Sequence, residues 1–408
     1  MLPSVSESSR RWILAALALA AIVGLAIPFV TRKKSEWDDV YRAAGRRLLA
    51  GEGLYPTGTS YAYPPLSAAL VAPLAHADDR AARIAWYAVN VAFIAGLLAL
   101  GWRAARGPVP VVREPAVFWI GMAVGFPFVL HALAHQQNDA IVAAVVIGGC
   151  YCLARGRGFA GATCFGLAAA VKCTPLLFAP YLLVKGRPFA AAWVFAVAAG
   201  ASLAPDLVSR PTDAPCHLAK WYSYYIVPQL NPDRPPGVWA SEIIYNQSVV
   251  GAANRWFGES VPPRDLKRSV YGLFAGLAAL ALYAMRRGAR QPDAIAWECS
   301  LVLSAMLLLS PMSSVPHFAT LLLPGWLLAH AVLRERRYEL LPFLAAMVLG
   351  ALASNKDLLG GTAYTAGLRA GSVMFAAVAA FGGCALALAR PVPVPVAVPI
   401  PAPLRRAA

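Results

Sequence analysis

The sequence predicts an all-α polytopic membrane bundle, and three observations carry that prediction. Of the 408 residues, 59% are hydrophobic and only 14% charged, where a soluble domain carries about 25% charged residues. The apolar residues gather into ten to twelve runs, most of them approaching the roughly 20 residues a helix needs to cross the hydrocarbon core. A backbone in hydrocarbon must satisfy its own hydrogen bonds, so runs of this length are helices.

Charge placement orients the bundle. The net charge is +16. Much of the excess sits in short loops: Arg103 and Arg106, Arg155 and Arg157, Lys185 and Arg187, Arg286 and Arg287 with Arg290, and Arg334 with Arg336 and Arg337. That is the positive-inside pattern, and it makes a nucleic-acid partner the weaker explanation of the basic pI. Both termini then face the cytoplasm. The seven cysteines lie mostly inside spans, with Cys216 alone in a long loop. No loop pair has disulfide or zinc-ligand spacing.

In chain order, Trp12 to Val30 reads as a retained first helix. A polar stretch, 31–82, follows. Within it Asp39 to Leu49 reads as a short interfacial helix, with Val40, Ala43, Ala44 and Leu48 toward lipid and Arg42, Arg46 and Arg47 toward water. Pro64 to Ala77 is too short to span and reads as interfacial or re-entrant. Spans are expected at 84–102, 116–133, 140–153, 159–171, 175–184 and 188–208. The two segments flanking Lys172 read either as a helical hairpin or as one kinked element.

A second outer loop, 209–267, carries Trp221, Tyr222, Tyr224, Tyr225, Trp239 and Tyr245. A loop of this length is functional or disordered, and its aromatics favour order at the interface. Further spans are expected at 270–285, 294–309, 318–333, 340–353 and 368–389. Residues 1–390 thus form a single transmembrane domain. Residues 391–408, alternating Pro with Val, Ala and Ile, read as a disordered cytoplasmic tail.

The polar clusters fall on the outer face. They are Glu36 with Asp38 and Asp39, Tyr63-Pro64-Pro65, Gln136-Gln137-Asn138-Asp139, Asn246-Gln247-Ser248 and His317. The carboxylates suit a general base at the membrane edge, solvated loop charges, or a divalent cation held by the Asp pair. Lys172 interrupts an apolar run, and an ionisable residue at such depth either marks a site or snorkels to the surface. Amides at span ends cap helices or pair with sugar hydroxyls.

These residues carry a family resemblance. Val40-Tyr41-Arg42-Ala43-Ala44, Leu49-Ala50-Gly51-Glu52-Gly53-Leu54-Tyr55 and Tyr63-Pro64-Pro65 resemble the start of glycosyltransferase family 87. Gln137-Asn138, the run Gly166 to Pro175 with Lys172, Asn246-Gln247-Ser248 with Arg255, and Ser310-Pro311-Met312-Ser313 with His317 are similar to later family segments, in the same order. The likeness runs over roughly residues 35 to 330. Val315 and Pro316 stand where the family often has Asp and a first His.

The resemblance implies a GT-C-type membrane enzyme with an outward-facing site. It would transfer a monosaccharide, mannose above others, from a polyprenyl-phosphate donor to a glycolipid or glycan acceptor. Asp38, favoured over Glu36, would be the base, with Asp39 beside them. Lys172, His317 and Arg255 would hold the donor phosphate. Tyr63, Gln137, Asn138, Asn246 and Gln247 would contact sugar or acceptor. No cofactor is required, although the acids leave room for a divalent metal. The competing readings are a secondary transporter or lipid flippase, which would carry an internal repeat with broken helices in both halves, and a non-catalytic protein of the same fold.

Overall fold

The computed structural model describes residues 7–32, 35–56, 58–237, 242–289, 291 and 293–390. The expected tail and Trp239 lie outside them. Among the described residues there is no strand. The helices are α1 (Glu7–Thr31), α2 (Ala43–Leu49), α3 (Leu66–Val71), α4 (Asp79–Arg106), α5 (Pro115–Ala134), α6 (Asp139–Ala154), α7 (Gly158–Val171), α8 (Phe178–Val184), α9 (Pro188–Leu203), α10 (His217–Trp221), α11 (Val249–Phe257), α12 (Pro263–Gly288), α13 (Ala294–Leu309), α14 (Leu322–Leu333), α15 (Leu341–Leu352), α16 (Lys356–Arg369) and α17 (Ser372–Ala389). Six helical segments among the described residues are long and apolar enough to cross a membrane alone. Five further apolar helices run 10–17 residues, and four of them, Asp139–Ala154, Gly158–Val171, Thr174–Val184 and Ala294–Leu309, coincide with expected spans. The protein is a multi-pass membrane protein.

Two elements differ from expectation. Asp39 to Leu49 does not lie on lipid. Residues Trp37–Arg42 form a π-helix that leads into α2. Val40, Ala44 and Leu48 pack with Leu54, Tyr55, Tyr61, Ala68 and Tyr225 in a protein core. Arg42, expected in water, is 3% exposed. Its guanidinium donates to the Ala75 carbonyl at 3.0 Å and to the Ala77 carbonyl, and it pairs with Asp79. A buried arginine is tolerable only with its donors satisfied, and these contacts fold the first outer loop back onto the N-terminus of α4.

The second difference lies near the C-terminus. Tyr338–Leu352 and Lys356–Arg369 meet at a 96° bend. Asn355 caps α16 by accepting from the Asp357 and Leu358 amides. Leu368, expected to open the last span, belongs to α16, and Gly371, at φ 78°, separates it from α17.

The segments around Lys172 form a hairpin. Gly158, opening α7, and Arg187, beyond α8, come together, so that a Cβ at 158 would lie 3.4 Å from the Arg187 guanidinium. The arginine-rich turns share one end of the bundle. Arg106 donates to Glu114 at 2.6 and 3.0 Å, Arg334 reaches the Arg113 carbonyl, and Arg337 reaches that of Arg390. The polar clusters occupy the opposite end.

Small residues bring the central helices together, as expected where lipid supplies no hydrophobic drive between them. The segment Val315–Leu333 is buried nearly all round. Gly121 and Gly125 of α5 lie against Trp326 and Leu322 of α14. A Cβ at 125 would sit 2.5 Å from the Leu322 side chain and 2.7 Å from its backbone nitrogen. Gly96 of α4 has nothing within 4 Å of the same position. Gly125→Val should therefore lower the midpoint of thermal unfolding, overpacking costing about 1–3 kcal/mol, while Gly96→Ala leaves it unchanged or higher. Tryptophan fluorescence of the detergent-solubilised protein during heating checks this. Equal shifts for the two variants would show that α5 and α14 are not packed at glycine.

Candidate active site

Three helix breaks bring the polar clusters into contact. The first is the turn between α5 and α6, where Gln136 takes φ 56°, a left-handed conformation that costs a non-glycine residue energy. Its side chain accepts from the Ser35 hydroxyl and donates to the Phe29 carbonyl. Its own carbonyl accepts from the Trp86 indole at 2.9 Å. These bonds hold the turn and tie it to the end of α1.

The second break follows α7. Residue 175 is proline, so the Val171 carbonyl lacks the amide that would continue the helix. The Ser67 hydroxyl of the first outer loop donates to that carbonyl at 3.1 Å instead. Lys172 takes an extended backbone. The third break is Ser310-Pro311 after α13, followed by a 3-10 helix, Val315–Leu321, that carries His317.

The breaks converge on Asp139, the first residue of α6, which is 4% exposed. Its Oδ1 lies 2.5 Å from Lys172 Nζ and 3.3 Å from His317 Nε2. Its Oδ2 is buried and has no partner among the described residues. Lys172 Nζ also sits 5.2 Å from the centre of the Tyr63 ring, within cation–π range. The Tyr63 hydroxyl lies 2.9 Å from that of Tyr41, which is 3.2 Å from Asn138 Oδ1.

Glu36 joins this cluster. Its carboxylate accepts from the Gln137 side-chain amide, and Gln137 Oε1 is a second buried acceptor without a partner. Burial raises the Glu36 carboxyl above the ordinary 4.5. The Gln137 hydrogen bond opposes that, the Asp139 charge adds to it, and Lys172 pulls the other way.

The other predicted residues lie in different surroundings. Asp38 is engaged by Arg83 and, at 3.8 Å, by Arg42. Asp39 is exposed. Asn246 and Gln247 are fully buried. Asn246 Oδ1 accepts from the Ser313 amide at 3.0 Å, and its amide donates to the Pro311 carbonyl. Gln247 donates to the carbonyls of Ile244 and Leu368. The Asn246 contacts hold the 310–313 segment that precedes His317, while Gln247 spends its donors on backbone and keeps Oε1 buried without a partner among the described residues. Arg255 donates to the carbonyls of Ile243 and Asn246. Among the described residues no three His, Cys, Asp or Glu side chains converge as a metal-binding group.

Asp139 was not among the predicted site residues. The available signal is an acid opening a 16-residue helix that carries no other charge, which at membrane depth needs a partner.

Because Lys172 and Asp139 compensate each other, Asp139→Asn should cost about 3–5 kcal/mol by leaving a buried ammonium unpaired. The double variant Asp139→Asn/Lys172→Met should recover most of that loss. Unfolding midpoints of the single and double variants test the coupling, and additive losses would mean that the pair is not formed.

The chain is similar over 93% of its length to 76% of ArnT from Cupriavidus metallidurans bound to undecaprenyl phosphate, with 17% identity and a TM-score of 0.42. For the same protein in the apo state the figures are 94%, 77%, 18% and 0.46. No curated protein sequence matches significantly. The match that decides the matter is to Glycosyltransferase family 87, over residues 61–311. It takes in all three breaks, with Asp139 and Lys172, and the chain belongs to that family.

Proposed function

We propose that this glycosyltransferase moves mannose from a polyprenyl-phosphate donor to a glycolipid or glycan acceptor. The reaction would take place on the outer side of the cytoplasmic membrane, with both termini inside. One observation carries the reading. A carboxylate with a raised pKa, Glu36, accepts from Gln137 and feels the charges of Asp139 and Lys172 in a buried Lys172–Asp139–His317 cluster, and Gln137 and Asp139 each keep one unpartnered acceptor oxygen. Buried acceptors are rarely left bare, and hydroxyl-bearing ligands such as sugars supply the missing donors.

We assign the base to Glu36 in preference to Asp38, because two arginines already neutralise Asp38. Glu36 takes the proton of the acceptor hydroxyl as its oxygen attacks the anomeric carbon. The bond from that carbon to the phosphate oxygen breaks, and polyprenyl phosphate leaves with the electron pair. Lys172 and His317 stabilise the phosphate charge in a site where little water screens them. Asp139 orients both and accepts a sugar hydroxyl at Oδ2. Tyr63 covers the lysine and excludes water. Tyr41 and Asn138 hold Tyr63 in place.

Transfer of radiolabelled mannose from polyprenyl-phosphate mannose to extracted membrane glycolipids tests the reading. Glu36→Gln should lower turnover by about 10²–10⁴-fold with folding intact. Asp38→Asn should keep most of the turnover while destabilising the first outer loop. Because the base works deprotonated and its pKa is raised, wild-type turnover should rise with pH through a midpoint above 4.5. A full loss in Asp38→Asn with Glu36→Gln active would return the base to Asp38. No transfer from mannose, glucose or arabinose donors by the folded wild type would sink the reading.

A further inference from the structure

The chain has six histidines. His217, His317 and His330 each place Nε2 within 3.3 Å of an oxygen. His131 makes no such contact among the described residues, and its Nδ1 is buried and unpartnered. A buried ring nitrogen left without a partner is costly, and the reaction described above gives this one no role.

His131 lies in the last turn of α5. Just beyond it the Gln137 amide donates back to the Ala132 carbonyl at 2.9 Å. The chain therefore reverses at once, and α6 opens with Asp139 beside that turn. Asp139 and His131 are close enough for their charges to act on each other. Phe128, three residues earlier on the same face of α5, packs on Phe318 with ring centres 5.6 Å apart, and Phe318 follows His317. His131 thus stands on the wall of α5 that faces the 3-10 helix of His317. The His135 ring stacks on it at 4.5 Å and 19°, which fixes its plane. Arg32, at the end of α1, acts on both rings, and its own carbonyl accepts from Arg83.

The charges of the cluster show what this nitrogen would meet. Lys172 and Asp139 cancel each other, and His317 Nε2 is itself turned to Asp139. During transfer the donor phosphodiester, with one negative charge, becomes a phosphate monoester that carries up to two, while the proton of the acceptor hydroxyl goes to Glu36. An ammonium already shared with a carboxylate is little to set against that phosphate. A further N–H donor makes up the deficit, and hydrogen bonds to an ionised oxygen are the strong ones. Arg32 makes the surroundings of both imidazoles positive, which suits a phosphate oxygen better than a neutral hydroxyl.

We propose that His131 is a further donor-phosphate residue, whose Nδ1–H hydrogen-bonds a non-bridging phosphate oxygen of the polyprenyl-phosphate sugar and of the polyprenyl phosphate that leaves. This rests on the transferase reading above. His135 is a positioning residue that holds the ring through the stack. No proton passes to or from His131.

Binding to the full-length protein in detergent, without turnover, tests this. The probes are farnesyl phosphate, a short polyprenyl phosphate, and farnesol, which has the chain alone. The wild type should bind farnesyl phosphate the more tightly. His131→Phe should weaken farnesyl phosphate by about tenfold to a hundredfold, the effect of losing one hydrogen bond to a charged group, and leave farnesol unchanged. His131→Asn and His131→Gln separate a lost contact from a lost fold. The asparagine side chain carries its N–H near the Nδ1 position and the glutamine side chain near that of Nε2, so the first should retain most of the phosphate preference and the second little. Unfolding midpoints show that the variants compared are folded. Equal preference in the asparagine and glutamine variants, or an unchanged preference in His131→Phe, overturns the assignment of His131 and leaves the transferase reading standing. No phosphate preference in the wild type overturns the polyprenyl-phosphate donor together with it.

Discussion

The need to neutralise a buried carboxylate organises the polar end of this bundle. Asp139 opens α6 where water is scarce, and an isolated charge there would cost several kcal/mol. Lys172 and His317 answer it from two other helices. Neither could do so from an unbroken helix, because each lies where its chain leaves α-geometry. Pro175 ends α7 and Pro311 follows the end of α13, so the prolines that weaken the spans are what allow the cluster to form. The first outer loop closes the arrangement, since Ser67 caps the carbonyl that Pro175 leaves bare.

That coupling explains why the first outer loop is packed against the bundle. A loop that only covered the surface would present its arginines to water, as the spacing of Arg42, Arg46 and Arg47 suggests. Arg42 is instead buried and bonded to the backbone of 75–77. Arg83 and Arg42 both engage Asp38, which fixes the π-helix carrying Trp37, and Trp37 stacks on Trp86 at 4.9 Å. Glu36 directly precedes this clamp. Its position next to Gln137 follows from contacts made by its neighbours, while its own carboxylate remains free to exchange a proton.

The sequence made the helical bundle, its polar face and the residues Glu36, Lys172 and His317 legible, because hydropathy and isolated charges are local signals. It also marked the elements around Lys172, although hairpin and kink have the same hydropathy and differ only in where Gly158 and Arg187 meet. It favoured Asp38 over Glu36, the reverse of the assignment proposed above. Both are carboxylates in one short stretch, and what distinguishes them is Arg83, 45 residues away. Asn246 and Gln247 read as sugar ligands because amides serve sugars and backbone equally well, and only packing reveals that their donors are spent. The break after 353 was legible, but the helix α16 beyond it escaped, because it is interrupted at Gly360 and largely exposed, with little hydropathy contrast to mark it.

The opposite end of the bundle provides an internal comparison. Glu298 is fully buried in α13, as enclosed as Asp139. Its two oxygens have separate partners, the Tyr181 hydroxyl on Oε2 and Lys185 Nζ on Oε1, each at 2.9 Å. Such a closed network is structural, since nothing remains for a ligand to satisfy. Around Asp139 both partners, Lys172 and His317, crowd onto Oδ1 and leave Oδ2 bare, and the neighbouring Gln137 repeats the pattern with Nε2 engaged and Oε1 free. The same chain thus completes one buried carboxylate and leaves another incomplete. The incomplete one faces Glu36, which is where a hydroxyl-bearing substrate would restore the missing bonds.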